Sequence, residues 1–105
     1  MSLHRYAFIF KAPGYQPELH RQQLDSELFR ATIIGVSDIT QAIAVARQLV
    51  AQGIQLLELC GGFDASDVEQ LIATLPKEVP VGHVRFLPEQ QARLQKLLLT
   101  NEGGA

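Results

Sequence analysis

Between the apolar runs 29–36 and 55–59 lies a helix whose two ends are both legible in the sequence. Asp38 and Gln41 stand at capping-box spacing, which satisfies the free N–H groups of a helix start. Ile39, Ala42, Ile43, Ala46, Leu49 and Val50 recur on one helical stripe. Gly53 supplies the left-handed residue that stops it. A strand, a one-sided helix and a second strand in this order build a parallel pair joined by a right-handed crossover.

The same alternation runs along the whole chain. Tyr6-Ala7-Phe8-Ile9-Phe10 reads as a first buried strand, rich in aromatic and branched residues. Pro17 suits the first position of a short helix over 17–24, where its missing N–H costs nothing. Ser66 and Glu69 form a second capping box, and Val68, Leu71, Ile72 and Leu75 line the helix it opens, up to Pro76. Residues 80–86 form a fourth strand. Leu87-Pro88 leads into a last helix, reaching about residue 99 and packed through Leu94, Leu97 and Leu98, and residues 1–4 and 101–105 are expected to fray. The expectation is one α/β domain over 1–105: four βα units on a mostly parallel four-stranded sheet, half-barrel-like or an open sandwich.

Composition excludes several classes. The net charge of −2 and the lack of a basic stripe argue against sequence-independent nucleic-acid binding. No apolar run approaches the length of a membrane span, and no signal peptide is legible at the start. One cysteine allows no internal disulfide and fits a reducing cytoplasm. Charged residues, at 19%, fall below the usual quarter, as they do where a partner covers part of the surface. A four-stranded sheet also leaves two edges, so a homo-oligomer, a dimer first, is expected.

Chemistry concentrates at 54–64, Ile-Gln-Leu-Leu-Glu-Leu-Cys-Gly-Gly-Phe-Asp. In open α/β sheets ligands bind at the carboxyl ends of strands, beside helix N-termini. Glu58 interrupts an apolar strand, and a buried carboxylate needs a cation, hydrogen bonds or a raised pKa. It reads as a general acid or base, or as the partner of Arg85 or Lys11 in a structural ion pair. Cys60, next to a helix N-terminus, reads as a nucleophile or as a small buried hydrophobe. Gly61 and Gly62 let the backbone approach an anion, or simply make a tight turn. His83 and Arg85, at the end of the neighbouring strand, complete an acid–base and anion-binding set with Glu58, while Lys11 closes the first strand in the same layer. His4 and His20 have no partners at ligand spacing, so no metal site follows, and no cofactor motif is present. Two readings stand: a small anionic metabolite bound at the strand ends, with or without catalysis, or a non-catalytic oligomeric module in which the same residues pair structurally.

The segments Leu57-Glu58-Leu59-Cys60-Gly61-Gly62-Phe63, Phe8-Ile9-Phe10-x-Ala12-Pro13-Gly14, Pro17-x-x-His20-Arg21, Gly35-Val36 and Pro80-Val81-Gly82-x-Val84-Arg85 resemble those of a bacterial domain-of-unknown-function family. That resemblance covers nearly the whole chain and implies no activity. More loosely, 51–59 followed by a helix and Pro80-Val81-Gly82 resembles one half of the (β/α)₈ aldolases that act on keto-deoxy-phosphogluconate. It implies a half-barrel layout and a proton-transfer role for Glu58. The strand that carries the Schiff-base lysine in those enzymes has no counterpart here.

Overall fold

The computed structural model describes residues 2–104, with side chains described through Thr100. Five strands, β1 (Arg5–Lys11), β2 (Arg21–Asp25), β3 (Arg30–Val36), β4 (Leu56–Leu59) and β5 (Val81–His83), form one open sheet in the order β2-β3-β1-β4-β5. β1 runs parallel to both β3 and β4, and β5 is parallel to β4; only β2 is antiparallel, to β3. The helices are α1 (Ile39–Ala51), α2 (Ala65–Ile72) and α3 (Pro88–Gly104). The α/β class and the mostly parallel sheet are as expected. The layout is an open sheet rather than half of a barrel, because the order reverses at β1 instead of following the chain.

α1 forms where the sequence places it. Asp38 Oδ1 accepts from the Gln41 N–H at 2.8 Å, and Gln41 Oε1 accepts from the N–H and hydroxyl of Ser37. At the far end Gly53 has φ +99°, and the Ile54 N–H returns to the Leu49 carbonyl, closing the helix in a left-handed cap. Ala42, Val45, Ala46 and Leu49 are buried against Ala7, Ile9, Ile34, Val36, Leu57 and Leu59 of the sheet. These strand residues alternate with the rest of their strands, so the core lies on one face only.

Four elements differ from expectation. No helix forms over 17–24. A single turn ends at His20, and β2 follows, paired to β3 through a tight connection in which Ser26 Oγ accepts from the Leu28 and Phe29 N–H groups. Its five residues are all exposed, the pattern an edge strand tolerates and a solvated helix also shows. α2 starts at Ala65, not after Ser66. Asp64 caps the Asp67 N–H at 2.8 Å, and Phe63, buried in the core against which the half-buried Val68 packs, stands with it at hydrophobic-staple spacing. Ile72, expected to line this helix, is 46% exposed. The fourth expected strand shortens to β5. In α3, Leu94 is half-buried, but Leu97 and Leu98 are 56% and 53% exposed. The helix extends away from the sheet, and the molecule measures 46 Å along its long axis against 30 and 29 Å across. The fraying expected at the termini falls partly on Met1 and Ala105, outside the described residues; His4 is tied in by hydrogen bonds to Gln55 and Arg30. Among the described residues no helix is long and apolar enough to cross a membrane.

Candidate functional site

The turn after β4 is knitted to the end of β1. Cys60 Sγ accepts from the Lys11 N–H at 3.3 Å and from the Gly62 N–H at 3.4 Å. A Cβ on Gly62 would lie 3.1 Å from the Lys11 carbonyl oxygen and 3.3 Å from Cys60 Sγ, so a larger residue would press on this seam and packing alone favours glycine. Lys11 Nζ reaches Asp67 Oδ2 at 3.4 Å and sits 5.5 Å above the Phe63 ring. Lys11, Cys60 and Gly62 thus form a seam that locks the β4–α2 turn onto the central strand.

One strand further out the sheet opens. β5 places His83 beside Leu59 and Gly82 beside Glu58. Since neighbours in register share a face, His83 lies on the helix-covered face with Leu59. A cleft of about 370 Å³ lies there, bordered by Gly61, Asp64, His83, Arg85, Phe86 and Leu94. The α2 N-terminus meets it through Asp64, and the N–H groups of Ala65 and Ser66 find no acceptor among the described residues. His83 Nε2 is closed off from solvent and has no hydrogen-bond partner among the described residues. Buried polar atoms in native proteins are nearly always paired, so this nitrogen calls for a partner that the described residues do not supply.

Glu58 stands on the opposite face. It is half-buried, forms no ion pair among the described residues, and lies beside the Tyr6 phenol. Burial first, then hydrogen bonding to Glu58 and its negative charge, push the Tyr6 pKa up to about 12. Gly82 leaves a little spare room there: an added Cβ would meet Glu58 Cγ at 3.4 Å, an ordinary contact.

The expected set is therefore divided in three. Gly61, His83 and Arg85 share the cleft; Lys11, Cys60 and Gly62 share the seam; Glu58 faces away from both. Alternation within a strand is legible in the sequence, but the register between β4 and β5 is not, and one residue of register moves His83 to the other face. Asp64 and Phe86 were not anticipated in the cleft. Asp64 left a signal, since it sits three residues before Asp67 at cap spacing. Among the described residues no cluster of histidine, cysteine and carboxylate groups is placed to hold a metal.

No curated protein and no solved structure matches the chain. The family model that does match spans residues 4–98 and so nearly the whole of the fold. By that match the chain belongs to DUF6506, a family of unknown function.

Proposed function

We propose that the protein binds a small anionic molecule in the cleft between the carboxyl ends of β4 and β5. The observation that carries this reading is His83, which borders the cleft and whose buried Nε2 has no partner among the described residues. Arg85 brings a fixed cation, and the first-turn N–H groups of α2 bring the positive end of a helix dipole. Phe86 and Leu94 offer an apolar wall, as small-ligand sites do. Glu58 and Cys60 lie outside the cleft, so the reading is one of binding, and the proton-transfer role implied for Glu58 has no support. A thermal-shift series with phosphorylated sugars and keto acids tests it. A ligand at about 100 times its dissociation constant adds roughly 2.7 kcal/mol. The rise should vanish in His83→Ala and Arg85→Gln together; a rise that survives both places the site elsewhere.

A second reading, self-association, is favoured by the sheet face that no helix covers. Tyr6, Phe8 and Phe10 occupy every second position of the central strand there, flanked by Ile33, Leu56 and the 60%-exposed Leu24. A shallow groove of about 230 Å³ between Phe10, Leu19 and Ile33 is open to solvent. The same chain carries in α3 an apolar stripe with nothing packed on it. The occupant is a second copy, whose α3 lays Leu97 and Leu98 on this face. Charge agrees: among the described residues neither Glu58 nor Lys96, beside the stripe, forms an ion pair. A five-stranded face offers on the order of 500 Å², and with the α3 stripe this nears the ~800 Å² per partner of a stable pair.

A further inference from the structure

At the other end of the sheet, beside the carboxyl terminus of α1, a cavity of about 290 Å³ opens on the helix-covered face. Thr32, only 8% exposed, lines it together with the buried Leu49 and Ile54. Three exposed arginines, Arg5, Arg21 and Arg30, border the same space. They are three of the nine lysines and arginines in a chain of net charge −2, so chance does not readily gather them.

Each arginine is anchored by one nitrogen. Arg5 Nη1 donates to the Gln52 carbonyl at 3.0 Å, at the negative end of α1. Arg21 Nε donates to the Pro17 carbonyl at 2.8 Å, and Arg30 Nε pairs with Asp25 Oδ1 at 3.0 Å. A guanidinium has five N–H donors, so most of each fork remains free. Asp25 offsets part of the Arg30 charge, but the carbonyl anchors leave Arg5 and Arg21 fully charged, and no carboxylate lines the cavity itself. The backbone reinforces the point. Arg5 and Arg30 stand side by side in the β1–β3 ladder, where like charges oppose folding. Gly53 makes the space for Arg5: a Cβ there would lie 3.2 Å from Nη1.

A carboxylate is satisfied by one fork. Three forks and a nearly buried threonine around one small space suit a group with more oxygens and more charge. We propose that this cavity is a phosphate site, which takes the phosphoryl group of a small metabolite. Its volume, at the low end for ligand pockets, limits the rest of the molecule to a few heavy groups. The site is distinct from the β4–β5 cleft and runs along the β2 edge, from Arg5 and Arg30 at the amino ends of β1 and β3 to Arg21 opposite Ile34.

The test is a titration of the ¹⁵N-labelled protein with inorganic phosphate, followed by NMR at the backbone amides and the arginine Nε–H groups. The shifts should saturate at Arg5, Arg21, Arg30 and Thr32, and acetate at equal ionic strength should not reproduce them. Arg21→Gln combined with Arg30→Gln should weaken binding at least tenfold, and Thr32→Val, which keeps the buried shape, severalfold. Arg47→Gln, which removes an exposed α1 cation away from the cavity, should leave it unchanged. Shifts that never saturate, that appear equally at Arg47, or that ignore the double substitution overturn the proposal. Saturation confined to Gly61, Ala65 and Arg85 also overturns it, while supporting the cleft at the other end.

Discussion

The two faces of the sheet are built from neighbouring residues of the same strands, yet they have opposite fates. On one face Ala7, Ile9, Ile34, Leu57 and Leu59 are sealed under α1 and α2. On the other, Tyr6, Phe8, Phe10, Ile33 and Leu56 are as apolar, and no helix covers them. Topology explains the difference. The chain steps from β1 to β3 in one direction and from β3 to β4 and β5 in the other. Right-handed crossovers in opposite directions place their helices on opposite faces. The first connection is the one in which a helix is missing, since 17–24 yields a turn and β2. What is lost from the sequence-based helix is thus what leaves a whole face bare. The covered face holds the fold and the walls of both proposed sites; the bare face holds Glu58 and an aromatic row.

Adjacent leucines separate the two faces with the largest expected effect. Leu57→Ala opens a cavity in the sealed core and should cost about 2–5 kcal/mol in urea unfolding. Leu56→Ala, on the bare face, should cost less than half as much; equal losses would mean that both faces are core. The next effect is smaller and lies on the bare face. A Cβ at Gly35 would meet Tyr15 Cγ at 2.7 Å, beneath a ring stacked edge-on to Phe10 and His20. Gly35→Ala should therefore cost about 1–3 kcal/mol by displacing that ring. Gly82→Ala, on the same face with ordinary contacts, should stay within about 0.5 kcal/mol of the parent.

The polar pair on the bare face adds a pH dependence. Tyr6 titrates near 12 in the folded chain and near 10 when unfolded. Below pH 10 both states keep the proton, and its contribution to stability is complete. From about pH 10 to 12 only the folded state keeps it, so stability falls as pH rises. Urea midpoints of the parent should drop more steeply across that window than those of Tyr6→Phe; parallel curves would remove the Tyr6–Glu58 contact from the account.

How much of this was legible depends on how local each signal is. α1 was readable at both ends because its cap, stripe and glycine stop lie within sixteen residues. β1, β3 and β4 were readable from apolar runs that only a buried strand explains. β2 was not, because Arg-Gln-Gln-Leu-Asp has no apolar alternation and its pairing with β3 is a tertiary fact. The candidate site was half legible. The strand ends and the Gly-Gly turn were in place, but Glu58 and His83 were separated by inter-strand register. The arginine cavity was invisible, since Arg5, Arg21 and Arg30 are distant in sequence and border one space only once β1, β2 and β3 assemble.

Sedimentation velocity distinguishes a face that is an interface from one that is simply bare. At high micromolar concentration the parent protein should run as a dimer. Phe8→Glu, which sets a charge in the middle of the bare face, should run as a monomer with its far-ultraviolet circular dichroism unchanged. A parent protein that stays monomeric at that concentration, or a Phe8→Glu variant that remains dimeric, would contradict it.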